Sequence, residues 1–192
     1  MNELKNDYDY NNIEISNIDF PNIEESNFKN VIFRNVNFSN IDLSTIYFEK
    51  CSFYNCDFTS SKESNYINKE NYYKDGNFTG SDFIEKHLSN TKFEDCKLIY
   101  SNFSETTINN VEFINCNLTE SSFIAVKKHV KLKFTNCNLT LVDFLNTKLN
   151  DIDLRTSIIK GIKVNIDNLK GVILSPDQAL DFVSLLGIIV ID

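Results

Sequence analysis

The large apolar residues of this chain recur at every fifth position. The first run is Ile13, Ile18, Ile23, Phe28, Phe33, Phe38, Leu43, Phe48, Phe53 and Phe58. A second run in the same register extends from Phe78 and Phe83 through Leu88, Phe93, Leu98, Phe103, Ile108, Phe113 and Leu118 to Phe123. A third, displaced by one residue, begins at Phe134 and passes through Leu139, Phe144, Leu149, Leu154, Ile159, Val164 and Leu169 to Leu174. Fourteen of the 16 phenylalanines occupy this central position, so the repeat dominates the sequence.

A period of five matches neither a helix, at 3.6, nor a long strand, at 2. It matches a coil that turns a corner every five residues. The central residue and the residue two before it point inward, because side chains alternate along extended backbone. The residue between them faces solvent, and the last two turn the corner. Four sides close a square, giving roughly twenty residues per coil and a rise of about 4.8 Å. The reading is an all-β, right-handed quadrilateral β-helix of about seven coils, a rod about 35 Å long by the same spacing. Phe83, Phe103 and Phe123 should stack in one column, opposite Phe93 and Phe113.

The other positions of the unit agree. Outward positions hold short polar residues such as Asp42, Asp57, Asn77, Asp82, Asn102, Asn117, Asn138, Asp143 and Asp153, whose side chains can hydrogen-bond nearby backbone at tight turns. That accounts for the low counts of Gly (5) and Pro (2). Positions two before the centre are small, including all five cysteines, Cys51, Cys56, Cys96, Cys116 and Cys137. They read as buried, reduced core residues rather than a disulfide framework or a zinc site.

Two stretches break the period. Continuing it through 59–75 would put Glu63 and Asn68 at core centres, where unpartnered burial costs several kcal/mol. The segment is therefore expected to leave the coil as a partner-binding loop presenting Lys62, Glu63, Tyr66, Lys69, Glu70, Tyr72 and Tyr73. An aberrant coil or a tolerated surface insertion is the alternative. The second break, 124–131, is expected to present Lys127, Lys128 and His129 to a partner, with Lys131 beside them. It is either a six-residue loop or one atypical side with an extra residue.

The tail from Ser175 suggests a capped helix, with Ser175 as N-cap, Pro176 at the first helical position and Gln178 closing a capping box. Ala179, Phe182, Val183 and Leu186 form its apolar stripe. Gly187 reads as its stop and 188–191 as a short strand, with Ile188 and Val190 joining an apolar contact. The tail is expected to make a symmetric homodimer. The organisation is thus a lead-in over 1–12, a β-helix over 13–174 and a capping, dimerising tail over 175–192.

Net charge is −8, which disfavours direct nucleic-acid binding, although many proteins are acidic for solubility alone. No secretory leader and no apolar stretch long enough to span a bilayer are visible, and a cytoplasmic location is expected. No catalytic spacing, phosphate loop or ligand cluster appears, so neither enzyme activity nor cofactor nor metal is expected.

Units such as CDFTS (56–60), SNFSE (101–105) and CNLTE (116–120) resemble the pentapeptide-repeat superfamily over roughly residues 11–174. The tail GVILSPDQALDFVSLLGIIVID (171–192), a loop after the CDF unit (56–58) and a second after the SSF unit ending at Phe123 resemble more specifically the Qnr family of bacterial fluoroquinolone-resistance proteins. That resemblance implies a dimeric rod with the size and charge of a DNA duplex, which binds DNA gyrase and/or topoisomerase IV and protects it from fluoroquinolones. Inhibition at high concentration would be a corollary. Compared with that family the first loop is long, the second short, and fewer coils follow it. The alternative is a repeat scaffold that binds another protein through its loops.

Overall fold

In a computed structural model the described residues are 4–63, 68–128 and 130–183, with only the backbone described at Asn68 and Asp181. The chain winds into a right-handed quadrilateral β-helix, almost wholly parallel sheet, with a 3-10 turn over Ile166–Leu169 and one short α-helix among the described residues. Its sides are designated one to four after the inward residues Phe28, Phe33, Phe38 and Leu43.

Sides one and two carry the regular strands. On side one these are β1 (Asp9–Asn11), β3 (Asn27–Lys29), β5 (Tyr47–Glu49), β7 (Asn68–Lys69) and β11 (Lys127–Lys128). Side two carries β2 (Glu14–Ser16), β4 (Ile32–Arg34), β6 (Ser52–Tyr54), β8 (Tyr72–Lys74) and β12 (Leu132–Thr135), while β9 (His87–Glu94) and β10 (Thr107–Ile114) run across both sides. Sides three and four are joined coil to coil by single parallel bridges such as Asp57↔Asn77 and Asp82↔Asn102. The corners that follow them close with a backbone bond from the third residue on, as in Ile41 N to Phe38 O at 3.2 Å and Ile46 N to Leu43 O at 2.9 Å.

The outward Asx residues of sides three and four act at these corners. Asp57 Oδ1 accepts from Thr59 N at 2.9 Å, Asp82 Oδ1 from Ile84 N at 2.8 Å and Asn138 Oδ1 from Thr140 N at 3.0 Å. The last residue of nearly every unit lies in the left-handed region, for example Asn35 (φ 50°), Asn40 (φ 58°), Asn55 (φ 51°) and Asn115 (φ 53°). Asn tolerates that conformation better than other non-glycine residues. Much of the asparagine therefore sits at the corners, a role additional to the outward one inferred from sequence.

The interior is a stack of rings. Phe33, Phe53, Tyr73, Phe93 and Phe113 form the side-two column with centroid separations of 4.8, 4.6, 4.9 and 4.9 Å. Phe83, Phe103 and Phe123 stack at 4.4 and 4.7 Å on side four. Rings of neighbouring columns meet edge to face, as Phe103 does with Phe113 at 82°. Parallel offset within a column and edge-to-face between columns are the two favourable arrangements of aromatic quadrupoles, and both are used throughout. All five cysteines are buried and free in the positions expected.

The N-terminal register differs from the periodic reading. Tyr10 pairs with Phe28 and Ile15 with Phe33, eighteen residues on in each case. Ile15 and Phe20 are therefore the buried centres, while Ile13 is 40% exposed and Ile18 partly buried. One side, around Pro21–Ile23, is two residues short. The coil also begins within the stretch read as a lead-in, since β1 starts at Asp9.

Candidate interaction surfaces

Within the stretch 59–75, the described residues 59–63 and 68–75 stay on the coil. Residues 59–60 turn the corner after side three, 61–63 lie on side four, and 68–75 carry β7 and β8, with Lys69 opposite Glu49 and Tyr73 opposite Phe53. Residues 64–67, including Tyr66, lie outside the described residues. Glu63 is 1% exposed at a core centre, and Tyr73 is 1% exposed in the side-two column. These two face the interior instead of a partner. Lys62, Lys69 and Glu70 are exposed and Tyr72 is half-buried, all on coil sides.

Burial of Glu63 is possible because this coil carries a polar layer. Ser61 Oγ donates to Glu63 Oε1 at 2.6 Å, Asn71 donates to the Phe48 carbonyl at 3.0 Å, and buried Lys86 lies near enough to favour the carboxylate. Desolvation nevertheless lifts the Glu63 carboxyl to about 7. Asn71 also accepts from Cys51 N at 2.9 Å, so the layer is tied into the coil before it.

The second break is an atypical side rather than a loop. Thr107 pairs with Lys127 twenty residues on, whereas Val111 pairs with Leu132 twenty-one residues on. The extra residue falls between Lys128 and Leu132 as a bulge, which shifts the third run by one. His129 lies outside the described residues. Lys127 is exposed, but Lys128 occupies a column position between Ile108 and Leu149, and its ammonium donates to the Asn150 carbonyl. Burial holds its pKa below the usual lysine value.

The tail begins as the capping signal predicts. Helix α1 spans Pro176–Val183, Ser175 N donates to Gln178 Oε1 at 3.0 Å and Gln178 N donates to Ser175 Oγ at 3.3 Å. Gln178 Nε2 also donates to the carbonyls of Leu154 and Ser157, both at 2.8 Å, fastening the helix to the last coils. Phe182 is buried and Val183 half-buried, while Ala179 is exposed. Leu186, Ile188 and Val190 lie outside the described residues.

Outward charges follow a simple rule on most of the rod. A cation on one coil meets an acid on the next: Lys29–Glu49 at 3.2 Å, Arg34–Glu14 at 3.6 Å, Lys74–Glu94 at 3.2 Å and Lys131–Glu112 at 2.9 Å. On side two this ladder includes rings, with the Arg34 guanidinium 4.3 Å from the Tyr54 centroid and Lys92 Nζ 5.3 Å from that of Tyr72. Hydrogen bonds from Lys92, Lys74 and Tyr72 hold the Glu94 carboxyl down at about 2. Sides three and four and their corners carry an excess of acid, although Lys62 meets Asp42 at 3.3 Å and Lys163 meets Asp143 at 3.9 Å there. They present Asp42, Asp57, Asp82, Glu85, Glu105, Glu120 and Asp143 against Lys62, Lys97, Lys160 and Lys163. Among the described residues Glu85, Glu105 and Glu120 make no ion pair within 4.0 Å. Nor do the described residues contain a group of three or more His, Cys, Asp or Glu placed to hold a metal ion.

A square coil with five-residue sides, inward Phe and Leu, and Asx at its corners defines a pentapeptide-repeat β-helix, a scaffold whose surface carries its specificity. The profile described as pentapeptide repeat region matches residues 69–133, and that for pentapeptide repeats (8 copies) matches 17–49 and 26–62. Together they span more than half the chain, which belongs to the pentapeptide-repeat family. Among solved structures, the plasmid-mediated fluoroquinolone resistance protein QnrB1 is 19% identical over 96% of this chain and 100% of its own, with a TM-score of 0.36. HetL, a pentapeptide-repeat protein involved in heterocyst differentiation regulation from Nostoc sp. strain PCC 7120, is 12% identical over 88% of this chain and 90% of its own, with a TM-score of 0.45. A pentapeptide-repeat protein of the Arabidopsis thaliana thylakoid lumen is 21% identical over 50% of this chain and 66% of its own, with a TM-score of 0.25. A search of curated proteins finds no match.

Proposed function

We propose that this protein is a DNA-mimicking ligand of DNA gyrase or topoisomerase IV that protects the enzyme from fluoroquinolones. The observation that carries the reading is the segregation of charge around the rod. Sides one and two largely neutralise themselves coil by coil, whereas sides three and four and their corners present acids with few cations between them. An elongated body with one acidic flank suits a basic cleft that ordinarily holds duplex DNA. The resemblance of the 171–192 tail to Qnr endings supports the same partner and a homodimer formed through that tail. The protein works from the cytoplasm in this reading, and its chemistry is steric and electrostatic.

The test is gyrase supercoiling, with and without ciprofloxacin, across a titration of this protein. The native chain should restore supercoiling in the presence of the drug. The combined substitution Glu85→Gln, Glu105→Gln and Glu120→Gln should weaken that rescue with the fold intact. No rescue, no inhibition and no binding to gyrase would sink the reading.

A second reading rests on the Arg34, Tyr54, Tyr72 and Lys92 stripe of side two. Aromatic and Arg side chains are enriched in protein interfaces, so this stripe suits a scaffold that binds a different protein partner. Substituting Tyr54 and Tyr72 by Ala would abolish partner binding in this case and leave gyrase rescue unchanged in the first.

A further inference from the structure

Among the described residues of side one, the pairing of a cation with an acid on the next coil is absent around Lys127 and Lys148. On side one, Lys127 and Lys148 hold the same outward position on successive coils, the register being fixed by Val126 N donating to Thr147 Oγ1 at 2.8 Å. Two exposed ammonium stems thus rise from backbones about 4.8 Å apart. On other coils this position holds Asn27, Tyr47, His87 and Thr107. Like charges directly opposite across a parallel ladder destabilise it. Among the described residues no carboxylate lies within 4.0 Å of Lys127, Lys128, Lys148 or Lys170.

The surface between them is concave. Lys127, Lys128, Asn146, Lys148 and Asn150 line a depression of about 310 Å³. A neighbouring one of about 430 Å³ shares Lys148 and Asn150 and adds Asn168, Lys170 and Asp167. Together they reach the size range of small-molecule sites. The floor is built rather than incidental. Lys128 takes a column place that Ile108 and Leu149 fill with apolar side chains, and its ammonium is anchored on the Asn150 carbonyl at the rim. The two acids nearby do not cancel the groove. Asp151, which accepts from Asn150 Nδ2 at 2.8 Å and keeps its charge, and Asp167 face the four ammonium groups of Lys127, Lys128, Lys148 and Lys170.

We propose that this side-one groove is an anion site for a small molecule bearing two or more linked phosphates, gripped by Lys127, Lys148 and Lys170 with Asn146 and Asn150 as amide donors. Lysine is a point-charge phosphate ligand, and charge-assisted bonds to phosphate oxygens are among the stronger polar contacts. Three ammonium groups spread over successive coils exceed the reach of one phosphate and match a short chain of them. The lysines of the site lie on side one, and Asn146 reaches it from the corner after side four.

The probe is sodium tripolyphosphate, titrated calorimetrically into the full chain at low ionic strength, with orthophosphate and a short DNA duplex as separate arms. Saturable tripolyphosphate binding, weaker for orthophosphate and weakened by salt, is expected. Lys127→Ala with Lys148→Ala should lose roughly tenfold or more in affinity. Lys127→Arg with Lys148→Arg should retain it, and so should Lys97→Ala with Lys160→Ala on side three. Circular dichroism and melting of each variant establish that it is folded. Absence of saturable binding by the native chain, equal binding by the folded Lys127→Ala/Lys148→Ala variant, or preference for the DNA duplex over tripolyphosphate would each overturn the assignment.

Discussion

Ser61 donates a 2.6 Å hydrogen bond to the carboxyl of Glu63, and both residues are 1% exposed. Burial is the main cause that lifts Glu63 from its ordinary 4.5 to about 7. The folded state therefore holds this proton more tightly than the unfolded chain. Its contribution to stability is fully present below the unfolded pKa and is lost as pH rises through about 7, a change on the order of 3 kcal/mol. Glu63→Gln keeps the shape and removes the titration. Denaturant midpoints of the two chains at about pH 5 and about pH 8 should show the native chain losing stability relative to the variant across that window. Parallel profiles would refute the buried carboxyl.

The five thiols should be chemically silent in the native state. Cys51 and Cys56 are raised by burial to about 12 and about 11, and each donates to a backbone carbonyl, as Cys51 does to Phe28 O at 3.2 Å. A thiol reagent needs thiolate and access, and neither is present. Labelling at neutral pH should be negligible until denaturant opens the coil, after which its rate should follow unfolding. Rapid modification of any cysteine in the native protein would contradict the core placement.

The repeat was legible because phenylalanine marked it. Columns such as Phe83–Phe103–Phe123 and Phe93–Phe113 follow from spacing alone, and so do the buried cysteines and the Ser175–Gln178 box. The misreadings share a cause, which is that a periodic rule assumes every coil has the same length and the same interior. At the N-terminus the short side near Pro21 displaced the register, and Phe20, which fitted no unit, was the overlooked sign. At 59–75 a carboxylate in a core position looked prohibitive, yet Ser61 and buried Lys86 make it tolerable. Tyr73 could have been placed from its spacing, since it lies five residues before Phe78. The left-handed corners are invisible to hydrophobic pattern and had only the abundance of Asn to announce them. The side-one groove depends on which coil lies against which, and so required the register shift after Lys128.

Gln178 Nε2 joins the helix to the solenoid through two hydrogen bonds, to the Leu154 and Ser157 carbonyls, and two further bonds close the capping box with Ser175. Gln178→Ala leaves those carbonyls and the Ser175 amide without their partner. The cost should be about 1–2 kcal/mol. Because the bonds are confined to the end of the rod, amide exchange should rise in α1 and the last coils and remain unchanged around Phe53. A uniform rise along the chain would mean that the cap governs the whole solenoid.

Val130 offers the sharpest test of the bulge. It is 68% exposed and falls between Lys128 and Leu132, where the pairing to β10 steps from twenty to twenty-one residues. Deleting it would return this coil to the common length, with Lys127 still opposite Thr107 and Leu132 still opposite Val111. An exposed apolar residue contributes little burial, and a bulge leaves its extra residue unpaired. Stability should therefore change by less than about 1 kcal/mol, and circular dichroism should be unaltered. A loss of several times that size would show that the extra residue holds β11 and β12 in register, so that the bulge is a structural requirement of the coils that follow.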